Sequence, residues 1–316
     1  MPISVLIPTY RRPQDLRRCL AALGAQTRPA DEVVVVVRDT DIETRSFLAG
    51  YPQVLPGLRV VTVCQPGVLA AMTAGLAETC GKIIALTDDD TAPFPDWLER
   101  IEACFAQDPK IGGVGGRDWQ ANDHRSRKIV GKIQWHGRVI GNHHLGVGDA
   151  REVDILKGAN CAYRAAPLKQ IGFEIRLRGD GAQVHWELAL GLAVRRAGWK
   201  LIYDPAIAVD HFPAQRFDGD VNHRGLFSAP GLTNSVYNET LILLTYLPSV
   251  RRTTYLAWAF LVGSWADPGP IQMPRLLARR DKNAWRRLLA TFRGRWLAVR
   301  EAHNNPREHL LSRKKN

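Results

Sequence analysis

Residues 82–93, Lys82-Ile83-Ile84-Ala85-Leu86-Thr87-Asp88-Asp89-Asp90-Thr91-Ala92-Pro93, join an apolar run directly to three aspartates. Ile83 to Leu86 reads as a strand buried on both faces. Aspartate favours turns, where its short carboxylate accepts backbone N–H bonds. The stretch from Asp90 to Trp97 reads as a loop feeding a helix, with Asp96 as N-cap. Those needs account for one or two aspartates. A third, at the carboxyl end of a strand, lies where an open α/β sheet binds ligands. Clustered carboxylates there suit a hard cation carrying phosphates.

The rest of the sheet is patterned around this stretch. Ile3 to Pro8 predicts a first strand, and Pro13 to Gln26 a helix with Leu16, Leu20 and Leu23 on one face. Val33 to Val37 is an unbroken valine run, a strand buried on both sides. Leu58 to Val63 predicts another strand, and Val68 to Cys80 a helix closed by Gly81. Such repeated β-α-β units predict an α/β fold with a doubly wound, mostly parallel sheet. The carboxyl ends of its strands carry Pro8-Thr9-Tyr10-Arg11, Arg38-Asp39 and Asp88-Asp89-Asp90. Tyr10, Asp39 and Asp88 are therefore expected along one crevice, with an aromatic or carboxylate for a nucleobase and the acidic cluster for a metal and its phosphates. No strand is followed by G-x-G-x-x-G, and there is no G-x-x-x-x-G-K-[ST]. Both absences argue against a nicotinamide enzyme and a P-loop NTPase.

A chain of 316 residues suffices for one large α/β domain plus an extension. Cys19, Cys64, Cys80, Cys104 and Cys161 are scattered, without metal-ligand spacing, and read as reduced thiols of a cytoplasmic protein. The opening MPISVLIPTYRRP is a strand and a turn rather than a signal peptide. Of the net charge of +12, +11 falls between Arg251 and Asn316. A basic tail on a nearly neutral body points to an anionic surface.

ISVLIPTYRR, VVVVVRDTD and IIALTDDDTAP together resemble the nucleotide-sugar half of a family 2 glycosyltransferase of GT-A fold. Leu156 to Arg164 is similar to that family's glycine-x-asparagine segment, and GAQVHWELALGLAVRRAGWKLIYDPAIAVDH to its acceptor-side helix, strand and histidine. The likeness runs from Pro2 to Phe212. It implies a GT-A-like, Rossmann-type domain over 1–215, with a nucleotide-sugar half (1–115) and an acceptor half (116–215), followed by a basic, partly apolar helical tail (216–316). It also implies inversion by direct displacement without processive synthesis, since the Gln-x-x-Arg-Trp pattern and several membrane spans are missing. The donor would be a UDP- or GDP-linked sugar held by Pro8, Thr9, Tyr10, Arg11, Asp39, Asp88 and Asp89, with Asp39 on the base. Asp90, Asp88 and His211 would coordinate Mg²⁺ or Mn²⁺. Gly158, Asn160 and Trp186 would face a glycan or lipid-linked acceptor.

The general base is where the chain departs from the family pattern. A Glu-Asp pair usually opens the helix that ends in arginines and glycine. Counting back from Gly198, this chain has Trp186-Glu187. Glu187 keeps a carboxylate one methylene longer, at a helix start that favours its ionised form. Asp180 is the second candidate. Trp186 either stacks on a sugar ring or is core.

His143 and His144 fall in a glycine-rich stretch and are expected as polar loop residues, and Asp123 to Lys128 as a solvated run. The tail contains two apolar segments, Tyr237 to Leu247 and Tyr255 to Trp265, too short to span a bilayer. They suit interfacial placement or the core of a helical subdomain. Leu277, Trp285, Leu288, Leu289, Phe292, Trp296 and Val299 share one helical face, while Arg279, Arg280, Lys282, Arg286, Arg287, Arg293 and Arg295 crowd the rest. That pattern predicts a helix on an anionic membrane surface. The protein is thus expected to be cytoplasmic and peripheral on the inner face of the cell membrane. Nucleic acid is not expected, because the tryptophans are not interleaved with arginines on an exposed sheet. A catalytically degenerate binding protein and a sugar nucleotidyltransferase are the alternatives. The latter wants a glycine-rich phosphate loop that Ile7 to Pro13 does not provide.

Overall fold

The computed structural model describes residues 1–51, 57–121, 125–217 and 226–304. Asp123 and His124, and the basic residues after Asn304, lie outside the described residues. The chain forms two compact units: Met1–Lys132 with Ile140–Phe173 and Leu190–Phe217, and Ile133–Val139 with Glu174–Ala189 and Asp218–Asn316. Residues 133–139 and 174–189 belong to the second unit.

The elements run β1 (Ile3–Thr9), α1 (Pro13–Gly24), β2 (Glu32–Arg38), α2 (Ile42–Gly50), β3 (Leu58–Val63), α3 (Val68–Glu78), β4 (Ile83–Thr87), β5 (Thr91–Pro93), α4 (Trp97–Gln107) and β6 (Ile111–Trp119). Then come the paired β7 (Lys132–Ile133) and β8 (Val139–Ile140), β9 (Arg151–Glu152), β10 (Asn160–Arg164), α5 (Ala165–Ile171), α6 (Trp186–Arg196) and β11 (Lys200–His211). Four helices follow: α7 (Ala229–Tyr246), α8 (Ser249–Leu261), α9 (Met273–Ala278) and α10 (Ala284–Asn304).

Among the described residues the strands of the first unit form one mixed sheet, ordered β3-β2-β1-β4-β10-β6-β11-β5, with β9 against β11. β3, β2, β1 and β4 are mutually parallel. β10 enters antiparallel between β4 and β6, and β6 and β11 are again parallel. Val33 to Val37 are fully buried, so the run has no polar alternation. Leu16, Cys19, Leu20 and Leu23 of α1 pack into the core on one face of the sheet.

Three local features differ from the sequence reading. α2 was not expected; Asp41 caps it, accepting the Thr44 N–H at 3.1 Å. Asp96 sits at the N-cap position of α4, but its carboxylate takes Arg100 Nε at 2.5 Å and caps no backbone N–H. Thr91–Pro93 is not loop but β5, paired antiparallel with Val209–His211.

In the second unit α10 lies along α7 through small residues. Ala290, Thr291, Gly294 and Ala298 are buried, and a Cβ on Gly294 would meet the Thr233 carbonyl at 2.6 Å. Arg295, counted among the basic residues of the helix expected on an anionic membrane surface, is instead buried and donates to the Asp267 and Pro268 carbonyls. Leu241 to Leu244 are buried in the core of this helical subdomain; in the second apolar segment Tyr255 and Ala259 are buried while Leu261 and Trp265 are exposed. Among the described residues no helix is long and apolar enough to cross a membrane.

Candidate functional site

The parallel order β2-β1-β4 brings three strand ends to one rim. Tyr10 follows β1, Asp39 follows β2 and Asp88 follows β4. Tyr10 has the guanidinium of Arg38 at 5.7 Å and that of Arg11 at 5.1 Å from its ring centre, with Phe217 edge-on at 6.2 Å. Pro8 is half-buried within β1. Arg11 adopts φ 57°, and its N–H donates to Asp41 at 2.5 Å, turning the chain sharply after β1. Asp39 stays exposed, its carboxylate accepting the Thr40 N–H at 2.8 Å.

The three aspartates divide their work. Asp88, Asp90 and His211 each offer a ligand atom, all within 4.8 Å of one another. Pairing of β5 with β11 makes this possible, because His211 lies opposite Thr91 in that register. Asp89 is buried and faces elsewhere. It accepts Thr9 Oγ1 at 2.8 Å and Arg12 Nη1 at 2.9 Å. Thr9 and Asp89, both expected at the nucleotide, are therefore tied to protein groups. Arg12 also donates to the Gln215 carbonyl at 2.7 Å, and the Ala214 N–H reaches Asp90 Oδ2 at 3.0 Å. Residues 212–217 thus run beside the acidic cluster.

Behind His211 stands a carboxylate that sequence reasoning missed. Asp118, fully buried at the end of β6, lies 3.3 Å from His211 Nδ1 and pairs with the Lys157 ammonium. Burial pushes its carboxyl up, but Lys157 and His211 hold it well below the usual carboxylate range. Burial likewise lowers His211, yet its bonds to Asp118 and to Asp90, 3.5 Å from Nε2, outweigh this and raise it to about 9. Burial and the neighbouring Asp90 raise Asp88. In Asp90 burial is overridden by His211 and the Ala214 N–H, and the carboxyl sits at about 2. The signal for Asp118 was a lone carboxylate closing the glycine-rich strand Ile111-Gly112-Gly113-Val114-Gly115-Gly116.

Two carboxylates and an imidazole backed by a buried carboxylate form a donor set that fits a divalent cation, which would replace the His211 Nε2 proton beside Asp90.

The expected acceptor residues are placed less uniformly. Gly158 is buried in the turn before β10. Asn160 is fully buried. Its carboxamide accepts Trp97 Nε1 at 2.8 Å and donates to the carbonyls of Arg117 at 3.0 Å and Ile207 at 2.8 Å, using both of its N–H donors inside the protein. The Ile207 carbonyl is free for this because β11 bulges between Asp204 and Ala208. His143 is buried in a short 3₁₀ turn, bonded through Nε2 to the Ile155 carbonyl at 3.1 Å.

In the second unit, Trp186 is buried and Glu187 lies half-exposed in the first turn of α6. Asp180 is exposed on the preceding loop. Asn238 of α7, fully buried, clamps that loop. It accepts the Arg178 N–H at 2.7 Å and donates to the carbonyls of Arg178 at 2.9 Å and Val184 at 3.0 Å.

Comparison with known proteins agrees with this geometry. Residues 1–225 match the family model described as "Glycosyltransferase like family 2". Glycosyltransferase AglE of Haloferax volcanii is 32% identical over 101 residues, which is 31% of this chain and 33% of that protein. Glucosyl-dolichyl phosphate glucuronosyltransferase of the same organism is 24% identical over 224 residues, covering 67% of this chain and 69% of that protein. Among solved structures, mannosyltransferase PcManGT of Pyrobaculum calidifontis, in complex with GDP-Man and Mn²⁺, superposes with a TM-score of 0.55 at 19% identity, over 95% of this chain and 86% of that chain. TarS of S. aureus with UDP-GlcNAc gives 0.53 at 12% identity, over 97% and 93%. These likenesses support the GT-A fold.

Proposed function

The chain belongs to the family 2-like glycosyltransferases, and from that premise we propose that it moves a sugar from a UDP- or GDP-linked donor to a glycan or lipid-linked acceptor, with inversion and without processive synthesis. The observation that carries this reading is the grouping of Asp88, Asp90 and His211 at the carboxyl ends of the parallel strands. Tyr10 and Asp39 hold the nucleoside end of the donor. Mg²⁺ or Mn²⁺, when bound, offsets the charge on the departing diphosphate. Glu187, with Asp180 as the alternative, takes the proton of the acceptor hydroxyl as its oxygen attacks the anomeric carbon and the bond to the diphosphate breaks. PcManGT with GDP-Man and Mn²⁺, and TarS with UDP-GlcNAc, support a nucleotide-sugar donor. The basic C-terminal part meets an anionic membrane at its cytoplasmic face.

A thermal-shift panel of UDP- and GDP-linked sugars with and without Mn²⁺ tests the reading. A ligand at a hundred times its Kd adds about 2.7 kcal/mol of stability. Stabilisation by at least one donor, dependent on the cation, is expected. No stabilisation by any donor overturns it.

A further inference from the structure

Helix α10 keeps its two tryptophans outside. α10 turns Ala290, Gly294 and Ala298 to α7, whereas Trp285, Leu289 and Trp296 are 63%, 67% and 56% exposed. At 3.6 residues per turn these three fall within about 40° of one another around the helix axis. Arg286, Arg293 and Arg300 are exposed along one border of that stripe, with the Arg300 guanidinium 5.6 Å from the Trp296 ring centre. A helix folded only to pack on α7 would bury its tryptophans and expose its alanines. Here the reverse holds.

We propose that the stripe Trp285–Leu289–Trp296 is a membrane-insertion face: α10 stays packed on α7 and lays this edge into the interfacial region of an anionic bilayer, with Arg286, Arg293 and Arg300 at the lipid phosphates. Tryptophan suits this depth, since its ring is apolar and its indole N–H can stay among the headgroups. Arginine suits the rim, because its guanidinium pairs with phosphate while its stem covers apolar surface. The charge of the C-terminal part, +11 from Arg251 onward, complements a negative leaflet. The inference sharpens the membrane reading above and is independent of the transfer chemistry. It assigns insertion to a folded element rather than to a helix released from the protein.

The test is sedimentation of the full chain with phosphatidylcholine vesicles containing phosphatidylglycerol, against phosphatidylcholine alone. The wild-type protein, Trp285→Ser/Trp296→Ser and Arg286→Gln/Arg293→Gln/Arg300→Gln are compared. All the substituted side chains are exposed, and unchanged circular dichroism and melting check that the fold survives. The tryptophan variant is expected to bind roughly tenfold or more weakly at every salt concentration. The arginine variant is expected to lose the salt-sensitive part of binding. Wild-type binding with an unimpaired tryptophan variant overturns the insertion face but leaves the membrane reading standing. A wild-type protein that ignores the anionic vesicles at low salt overturns both. Tighter binding to nucleic acid than to vesicles at the same salt also overturns the proposal.

Discussion

The buried carboxylate of Asp118 sits 3.3 Å from Nδ1 of His211, on the far side of the imidazole from Asp90. This carboxylate–imidazole pair fixes the ring orientation and leaves Nε2 directed at the acidic cluster. Asp118→Asn keeps the shape but lets the ring turn and leaves the Lys157 ammonium without its partner. It should weaken cation-dependent binding of a nucleoside diphosphate by about 10–100-fold. Asp90→Ala should abolish the cation dependence altogether while the protein stays folded. Calorimetric titration with and without Mn²⁺ checks both. An Asp118→Asn protein with wild-type affinity would remove Asp118 from the site.

A second prediction concerns acid stability. Burial lowers His143 from its ordinary value of 6.5 to about 4, despite its bond to the Ile155 carbonyl and the nearby Asp118. The folded protein therefore holds this imidazole neutral where the unfolded chain protonates it. Stability from this source is complete above about pH 6.5 and is lost as pH falls towards 4, in total on the order of 2–3 kcal/mol. His143→Gln retains a donor for Ile155 O but cannot titrate. Its denaturation free energy should depend less steeply on pH between 6.5 and 4 than that of the wild type. Parallel curves for the two proteins would show that His143 carries none of the acid response.

What the sequence disclosed follows from which forces act locally. The valine run and Ile83 to Leu86 were legible because a strand buried on both faces has only one composition. The acidic cluster was legible because three carboxylates at a strand end exceed what a turn and a cap need, whereas His211 was named only through the family resemblance. The division of labour among the aspartates was not legible, since Asp89 differs from its neighbours only in pointing at Thr9 and Arg12. Asp118 and Lys157 lie 39 positions apart and meet through the antiparallel entry of β10, which no local pattern announces. What the pattern of α10 did not announce is how it packs: Gly294 allows so close an approach to α7 that the small-residue side meets it, and the tryptophan side stays exposed. Asn160 was named through the glycine-x-asparagine resemblance, and its carboxamide serves three partners inside the protein.

Glu187 provides the third prediction. It stands in the first turn of α6, where the helix dipole favours the carboxylate. Glu187→Gln should leave donor binding near wild type and lower turnover by about 10²-fold or more, the scale of losing a general base. Single-turnover transfer measured beside calorimetric donor binding separates the two effects. Full activity in Glu187→Gln with activity lost in Asp180→Asn moves the role to Asp180.

The fourth prediction concerns Asn238, which touches no expected substrate group. The loop it clamps includes Gln183 at φ 43° and His185 at φ 75°, left-handed conformations that cost side-chain-bearing residues free energy. Such a loop keeps its shape only if its surroundings hold it, and Asn238 grips both sides of the stretch, at Arg178 and at Val184. Trp186 and Glu187 follow directly, so the clamp sets where α6 begins. Asn238→Ala removes three hydrogen bonds from a buried position and should cost about 1–3 kcal/mol of stability. Relaxation of the loop should also shift Glu187, and misplacement of a base by an ångström lowers the rate by up to about 10²-fold. Asn238→Asp keeps the bond from the Arg178 N–H but sets a carboxylate oxygen against two carbonyls, so it should fall between alanine and wild type only if the N–H bond dominates. The decisive measurement is kcat for transfer together with donor Kd, taken well below the variant's melting temperature. A lowered kcat with unchanged donor Kd assigns Asn238 to positioning the base. A loss of stability with unchanged kcat would make it a structural amide and nothing more.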